Sequence, residues 1–353
     1  MDIKQILELC VQHQASDLHL LVGTPPMLRV NGALVMVPNE EVVTPNRMEE
    51  LVAPLLSGEQ KELVKVDREL DFSYALPSGA RFRANVYYEK GNMAAALRYI
   101  PSQIRTLEEL QLPAVVGELT KLRQGLVLVT GPTGHGKSTT LAAMIGRINA
   151  ERSEHIVTIE DPVEYVYSPE RSIISQRELH ADTHSWQVAL KSVLREDPNV
   201  VLIGEMRDYE TIESALTIAE TGHLVLATLH TNSAAQTIDR IVDVFPENEQ
   251  AQVRGQLSLS LEAIISQRLM PAEGGGRVAV SEVLLANSAV RSLIRDGKTH
   301  MLTNVMQTSG ELGMRTLEMA LADAYRTKKI SLVTAREYAL NVEELNRLVG
   351  TGS

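Results

Sequence analysis

A single cysteine, Cys10, in 353 residues excludes an internal disulfide and any cysteine-rich zinc site, so no zinc is expected. On an apolar first helix it reads as a small buried residue. No stretch reaches the roughly 18 consecutive apolar residues that a membrane-spanning helix needs. The opening MDIKQILELC lacks the basic-then-apolar order of a signal peptide. A cytoplasmic chain with no transmembrane segment is the expectation. Positive charge is also short: 34 Lys and Arg stand against 45 Asp and Glu, a formal charge of -11. Broad affinity for nucleic acid or anionic lipid rests on clustered cations, so no stable nucleic-acid partner is expected, although a local basic patch stays possible. Fixed-period repeats and low-complexity segments are absent as well.

What is present is ordinary globular composition, 44% hydrophobic against 22% charged, on a chain long enough for two moderate cores. Residues 1–100 pattern as a smaller α+β domain. Ile3, Ile6, Leu7 and Val11 mark a helix; DLHLLV and MLRVNGALVMV follow as strands, with Asn31-Gly32 as a hairpin turn. A helical stretch is expected from Met48 to about Val66, then strands in DFSYAL, ARFRANVYYE and MAAALRYI, with a turn at Lys90-Gly91-Asn92. Pro101 and Pro113 bracket an expected linker over 101–113.

From Gly125 the pattern changes to α/β, within a second domain expected over 114–353. The runs GLVLVT, HIVTIE, VVLI and HLVLATL are rich in Val, Ile and Leu without polar alternation, as in parallel strands buried on both faces. Beyond Asn248 the chain is expected to turn mostly helical, with QAQVRGQLSLSLEAIISQRLM as one long amphipathic helix. RVAVSEVLL reads as a strand after the flexible Gly274-Gly275-Gly276, and short helices fill the rest.

GPTGHGKST, comprising Gly131, Pro132, Thr133, Gly134, His135, Gly136, Lys137, Ser138 and Thr139, follows the strand GLVLVT and precedes the helical STTLAAMIGRI. That order is the setting of a P-loop. Its glycines let backbone N–H groups face phosphate oxygens, Lys137 reaches the β- and γ-phosphates, and Ser138 offers a hydroxyl to Mg²⁺. His135 reads as a solvated loop residue with no role of its own.

A P-loop implies a nucleotide, not a reaction. The other strand ends narrow it, because ligands of open parallel sheets sit beyond the carboxyl ends. HIVTIE ends in Glu160 and leads to Asp161 and Glu164; VVLI leads to Gly204 and Glu205; HLVLATL leads to His230. Hydrolysis of a phosphoanhydride uses one acid near the Mg²⁺ shell and another to orient or deprotonate water, so carboxylates on separate strands suit it. His223 and His230 bracket one strand and cannot touch the same atom, at about 3.3 Å of rise per residue. His230 is the better placed.

Taken together, these motifs resemble the secretion-type hexameric ATPases, in particular their pilus-retraction (PilT) branch, over nearly the whole chain. GPTGHGKST corresponds to Walker A, TIEDPVEY to the Asp box, LREDPNVVLIGEMRD to the Walker B region and TGHLVLATLHT to the His box. ASDLHL and PPMLRVNG resemble the family's PAS-like N-terminal domain. The resemblance implies a RecA-like P-loop ATPase domain behind that smaller domain, with ATP and Mg²⁺ as ligands. It makes Glu205 the acid supporting Mg²⁺ and its waters, Glu164 the general base, and Glu160 and Asp161 the groups that orient metal and water. His230, and less directly His223, would couple phosphate state to strand position. Arg83 and Arg98 would be arginine fingers within a ring, with Arg81 a weaker candidate.

The same resemblance implies a homohexamer that works with an inner-membrane platform protein and the pilus machinery, peripheral to that membrane. Extension and type II secretion relatives generally carry a tetracysteine zinc site and a longer N-terminal extension, which one cysteine and this start disfavour. The accessory retraction type (PilU) shares all four motifs; AVRSLIRD, Ala289 to Asp296, resembles the PilT motif AIRNLIRE and tips the choice. A nucleotide-gated binding module is disfavoured by intact Lys137, Glu164 and Glu205, and a DNA translocase by the charge balance.

Overall fold

The computed structural model describes residues 1–30, 32–100 and 103–350. The chain forms two compact units: Met1–Gln103 with Pro162–Val166, and Ile104–Asp161 with Tyr167–Ser353.

The first unit begins with α1 (Ile3–Gln12), capped reciprocally by Asp2 and Gln5, which satisfies two otherwise orphaned amides. Its buried face carries Ile3, Ile6, Leu7 and Cys10, and burial, with Asp17 adding, pushes the Cys10 thiol up to about 11. Strands β1 (Asp17–Leu20), β2 (Met27–Val30) and β3 (Ala33–Met36) follow, then α2 (Pro45–Val52), α3 (Gly58–Asp67), β4 (Glu69–Ala75), β5 (Arg81–Glu89) and β6 (Asn92–Ile100). They form one sheet in the order β3-β2-β1-β6-β5-β4, antiparallel at every pairing. Of the expected Asn31-Gly32 turn, Asn31 lies outside the described residues. Lys90 and Gly91, with φ of 48° and 79°, make the two-residue turn between β5 and β6, where both positions need left-handed φ.

The helical stretch expected from Met48 to about Val66 is present and is divided into two helices. Pro54 falls in a 3-10 turn at Ala53–Leu55, where its missing N–H ends the ladder, and Ser57 with Gln60 then caps a new start.

The second unit contains α4 (Ala114–Leu119), β7 (Gly125–Thr130), α5 (Lys137–Glu151), β8 (His155–Glu160), β9 (Ile173–Glu178), α6 (Trp186–Val193), β10 (Val200–Ile203), α7 (Tyr209–Glu220), β11 (Leu224–Leu229), α8 (Ala234–Asp243), α9 (Glu247–Ser260), β12 (Leu261–Pro271) and β13 (Arg277–Leu285). After them come α10 (Ser288–Arg295), α11 (Leu302–Thr308), α12 (Leu317–Arg326), α13 (Leu332–Tyr338) and α14 (Val342–Val349). The sheet order is β13-β12-β7-β11-β10-β8-β9; only the edge pair β12/β13 is antiparallel. Every residue of β7, β10 and β11 is buried, which is why these runs show no polar alternation.

One expectation fails here. LEAIISQRLM does not continue the helix: α9 stops at Ser260, and Leu261–Pro271 is β12, paired with both β7 and β13. β-Branched Ile264 and Ile265 are buried on it, and sheet pairing overrides the helical period of the preceding turns. β9, short and at the sheet edge, was not foreseen either. Of the expected linker, Pro101 and Ser102 lie outside the described residues. Segment 104–113 belongs to the second unit, with Leu107 buried. The final helices pack around Met270, Val280, Leu317, Leu321, Ile330 and Leu345.

Candidate active site

The P-loop joins the carboxyl end of β7 to α5, and Gly136, at φ 82°, is the residue before the helix. Left-handed φ there suits glycine and points the first free amides of α5 into the loop, an anion-binding arrangement. Gly131 is needed for closeness: a Cβ on it would sit 2.2 Å from the Gln267 carbonyl oxygen. Gln267 on β12 is itself buried. Its side-chain amide donates to the His135 carbonyl at 2.8 Å, and its side-chain oxygen accepts the Thr140 hydroxyl at 2.7 Å.

His135 is not the solvated residue expected. It is half-buried, and its Nδ1 accepts the Leu269 amide at 3.0 Å. Burial, together with Arg268, Lys137 and Arg277, holds its pKa below the usual histidine value, so the ring is neutral and its proton sits on Nε2. The P-loop is thus fastened to β12 by Gln267 and His135. Neither fastening was foreseen, because the segment that carries Gln267 reads as helix.

Lys137 is buried. Its Nζ donates to the Gly131 and Pro132 carbonyls at 2.9 and 3.1 Å and meets His230 Nδ1 at 3.2 Å. An ammonium only donates, so Nδ1 accepts and the imidazole carries its proton on Nε2. That nitrogen lies 2.9 Å from Glu205 Oε1, while Glu205 Oε2 lies 2.7 Å from an Arg207 guanidinium nitrogen. Burial pushes the Glu205 carboxyl up, but Arg207, His230 and Lys137 outweigh it and hold its pKa below the ordinary glutamate value. The result is a continuous ladder, Lys137–His230–Glu205–Arg207, linking the ends of β7, β10 and β11. Arg207 was in plain view in VVLIGEMRD, one residue beyond Met206, but an exposed arginine carries no signal alone. An open cleft of about 550 Å³ adjoins the ladder, lined by Glu205, Arg207, His230, Gln236, Asp239 and Arg240 among others.

Gly204 sets the spacing between β10 and β8. Its amide donates to the Ile159 carbonyl at 2.8 Å, and a Cβ there would come within 3.2 Å of Glu160 Cα. The close approach is therefore to backbone of the neighbouring strand. Thr228 donates its hydroxyl to the Gly204 carbonyl at 2.6 Å, clamping the turn from the β11 side.

Glu160 is buried at the end of β8 and accepts the Thr158 hydroxyl at 2.7 Å. Asp161 is exposed, and Ser138 and Thr139 are half-buried in the first turn of α5. Glu164 is exposed on Pro162–Val166, the short segment that counts with the first unit. His223 is not brought to the ladder. It sits at the opposite end of β11, about 23 Å away at about 3.3 Å per step, and its Nδ1 lies 3.1 Å from both the Ile218 carbonyl and the Thr221 hydroxyl. Its carbonyl accepts the Gly125 amide that starts β7, so within this chain its surroundings are those of a strand-start fastening.

Arg83 and Arg98 are directly paired residues of β5 and β6 and are exposed, while Phe82, Ala84 and Leu97 are buried. Arg98 Nε donates to Asp17 on β1 at 2.9 Å.

The match to the type II/IV secretion system protein family spans residues 2–274. The chain belongs to that family. Over 339 residues this secretion-system protein is 47% identical to the "Type IV pilus retractation ATPase PilT" of Pseudomonas aeruginosa, covering 96% of this chain and 98% of that one. It is 48% identical over 322 residues to a "Twitching motility protein" of Neisseria gonorrhoeae, covering 91% and 86%. Among solved structures, the crystal structure of the pilus retraction motor PilT with bound ADP matches with a TM-score of 0.93 at 45% identity, covering 98% of this chain and 99% of that one. The mixed α/β architecture of this secretion-system protein is that of the secretion ATPases.

Proposed function

We propose that the chain is the ATPase motor of type IV pilus retraction: a homohexamer that hydrolyses ATP to ADP and phosphate and uses the work to disassemble pili, driving twitching motility. The observation that carries the chemical part is the single imidazole, His230, held between the P-loop lysine and Glu205.

In this reading the amides of Gly134 to Thr139 receive the phosphates at the positive end of α5. Lys137 exchanges its contacts for the β- and γ-phosphates, which releases His230 Nδ1, so the end of β11 registers whether a γ-phosphate is present. Glu205, already ionised, stays an acceptor at neutral pH. Glu164 takes the proton of the attacking water, and Arg83 and Arg98 of a neighbouring copy supply the missing cations as fingers.

Mg²⁺ fits the donors present. It keeps several waters and takes one or two carboxylates with substrate phosphates. Among the described residues no group of three or more His, Cys, Asp or Glu forms a closed metal cage, but such an ion needs none. Ser138 and Glu205 would hold it, partly through water, with Glu160 and Asp161 orienting that water. Its contribution is to neutralise phosphate charge.

AVRSLIRD covers α10 from Ala289 to Arg295 with Asp296 as its C-cap, and Arg291 on it donates to the Ser258 and Leu259 carbonyls and to Glu262. The motif is thus fastened where α9 gives way to β12, which suits coupling rather than hydrolysis. Among the described residues no helix is long and apolar enough to cross a membrane. The reading places the motor on the cytoplasmic side, peripheral to the inner membrane, through a platform protein of the pilus machine.

Deletion in a piliated cell tests the assignment. Lost twitching with excess surface pili is the expected outcome; bald cells would make the chain an extension motor instead.

A further inference from the structure

β13 carries a buried glutamate that none of these roles uses. Glu282 is 5% exposed. Its Oε1 accepts the Ala234 amide at 2.7 Å, and the Leu317 amide faces the carboxylate closely enough to draw its pKa down. Ala234 and Leu317 are the first residues of α8 and α12. Two helix N-termini, each with unsatisfied amides and a positive dipole end, therefore converge on one carboxylate.

α8 follows directly from the loop that presents His230. That loop is stiffened internally: the Thr231 and Thr237 hydroxyls lie 2.7 Å apart, and Thr237 donates to the Ser233 carbonyl at 2.7 Å. α12 belongs to the C-terminal helical part, where Glu318 accepts the Leu340 and Asn341 amides at 2.9 and 2.8 Å. One side chain thus joins the His230 loop to the helices at the end of the chain.

We propose that Glu282 is a positioning residue for the nucleotide site: by holding the first amides of α8 and α12 together it fixes the loop that presents His230 and ties its placement to the C-terminal helices. This rests on the assignment of His230 to the phosphate end of the site. The ionised carboxylate serves both amides at full strength, whereas a protonated carboxyl spends one oxygen as a donor. The charged groups facing it are Glu318 from α12 and Arg268 from β12, with the Ala234 amide from α8. Burial pushes the Glu282 carboxyl up to about 7, Glu318 adds to that, and the two amides and Arg268 oppose it. Turnover is therefore expected to fall as pH drops through this region.

The test is steady-state ATP hydrolysis by the full chain with Glu282→Gln and, separately, Ala234→Pro. The first puts an NH₂ where two donors already point. The second deletes one of those donors at a helix position that tolerates proline, behind an already extended Ser233 (φ -153°, ψ 163°). Both are expected to lower kcat roughly tenfold with KM held within about twofold, and Glu282→Gln to flatten the kcat profile near pH 7. Glu318→Ala, which removes the Leu340 and Asn341 acceptor, is expected to lower Tm while kcat stays within about twofold.

Where Glu282→Gln does not fold, Ala234→Pro decides; failure of both would assign the carboxylate to stability alone and overturn the proposal. Wild-type kcat and pH profile in both, or the same kinetic loss in Glu318→Ala, would also overturn it. Lys137→Ala run alongside separates the two levels: turnover surviving that change would remove the site assignment itself, whereas its loss beside wild-type behaviour in Glu282→Gln removes only the present proposal.

Discussion

The two sheets of this chain place their cations differently. In the second unit β7, β10 and β11 are buried along their whole length, so groups able to do chemistry are pushed to the strand ends. There the parallel register brings them into mutual contact, as Lys137, His230 and Glu205 show. In the first unit the antiparallel sheet buries Phe82, Ala84 and Leu97 and turns Arg83 and Arg98 outward from mid-strand. Strand-end groups gain fixed geometry; face groups on long solvated tethers gain reach toward a second molecule. One region suits holding a phosphate; in the proposed ring the other serves a neighbour.

Among the cations, removing the reaching pair is expected to have the largest effect. Arg83→Ala with Arg98→Ala should lower turnover by about 10³-fold, the size of a lost arginine finger. Mixing that chain with a Lys137→Ala chain should restore part of the rate, since a mixed ring holds sites with both parts intact. No recovery at any ratio would break the contrast between the two regions. Lys137→Ala alone should cost about 10²- to 10³-fold, measured as phosphate release.

The smallest effect lies in the first unit, at Arg98, which is already paired with Asp17. Burial pushes the Asp17 carboxyl up, but Ser16, Arg98 and His19 outweigh it, so its folded pKa lies below the ordinary aspartate value. A depressed carboxylate pKa adds stability above the unfolded pKa and loses it as pH falls through the folded one. Asp17→Asn should therefore lower Tm slightly at pH 7, and the gap from wild type should close as pH falls through the depressed folded pKa. The effect is small because the Arg98 side chain is 72% exposed, and exposed ion pairs contribute little. A gap that widened in acid would contradict the ion pairing.

The strands of the second unit were readable because burial on both faces leaves unbroken aliphatic runs, and the P-loop because its chemistry fixes spacing. β12 was not, since α9 runs into it with no breaker between Ser260 and Leu261; only β-branched Ile264-Ile265 hinted at a strand. Missing it hid Gln267 and made His135 look solvated, because both are explained by β12 lying against the P-loop. Lys137, Glu205 and His230 could be gathered from strand ends alone. The bonds among them, Arg207 as the last rung, and Glu282 beneath α8 depend on three-dimensional packing that no local pattern records.

Glu205 is held in the ladder at the sheet edge, and the proposed division of labour gives the attacking water to Glu164. The direct measurement is ATP hydrolysis by Glu164→Gln, with nucleotide binding measured on the same sample. The account predicts turnover down by about 10²- to 10⁴-fold with nucleotide still bound. Hydrolysis at the wild-type rate would contradict it.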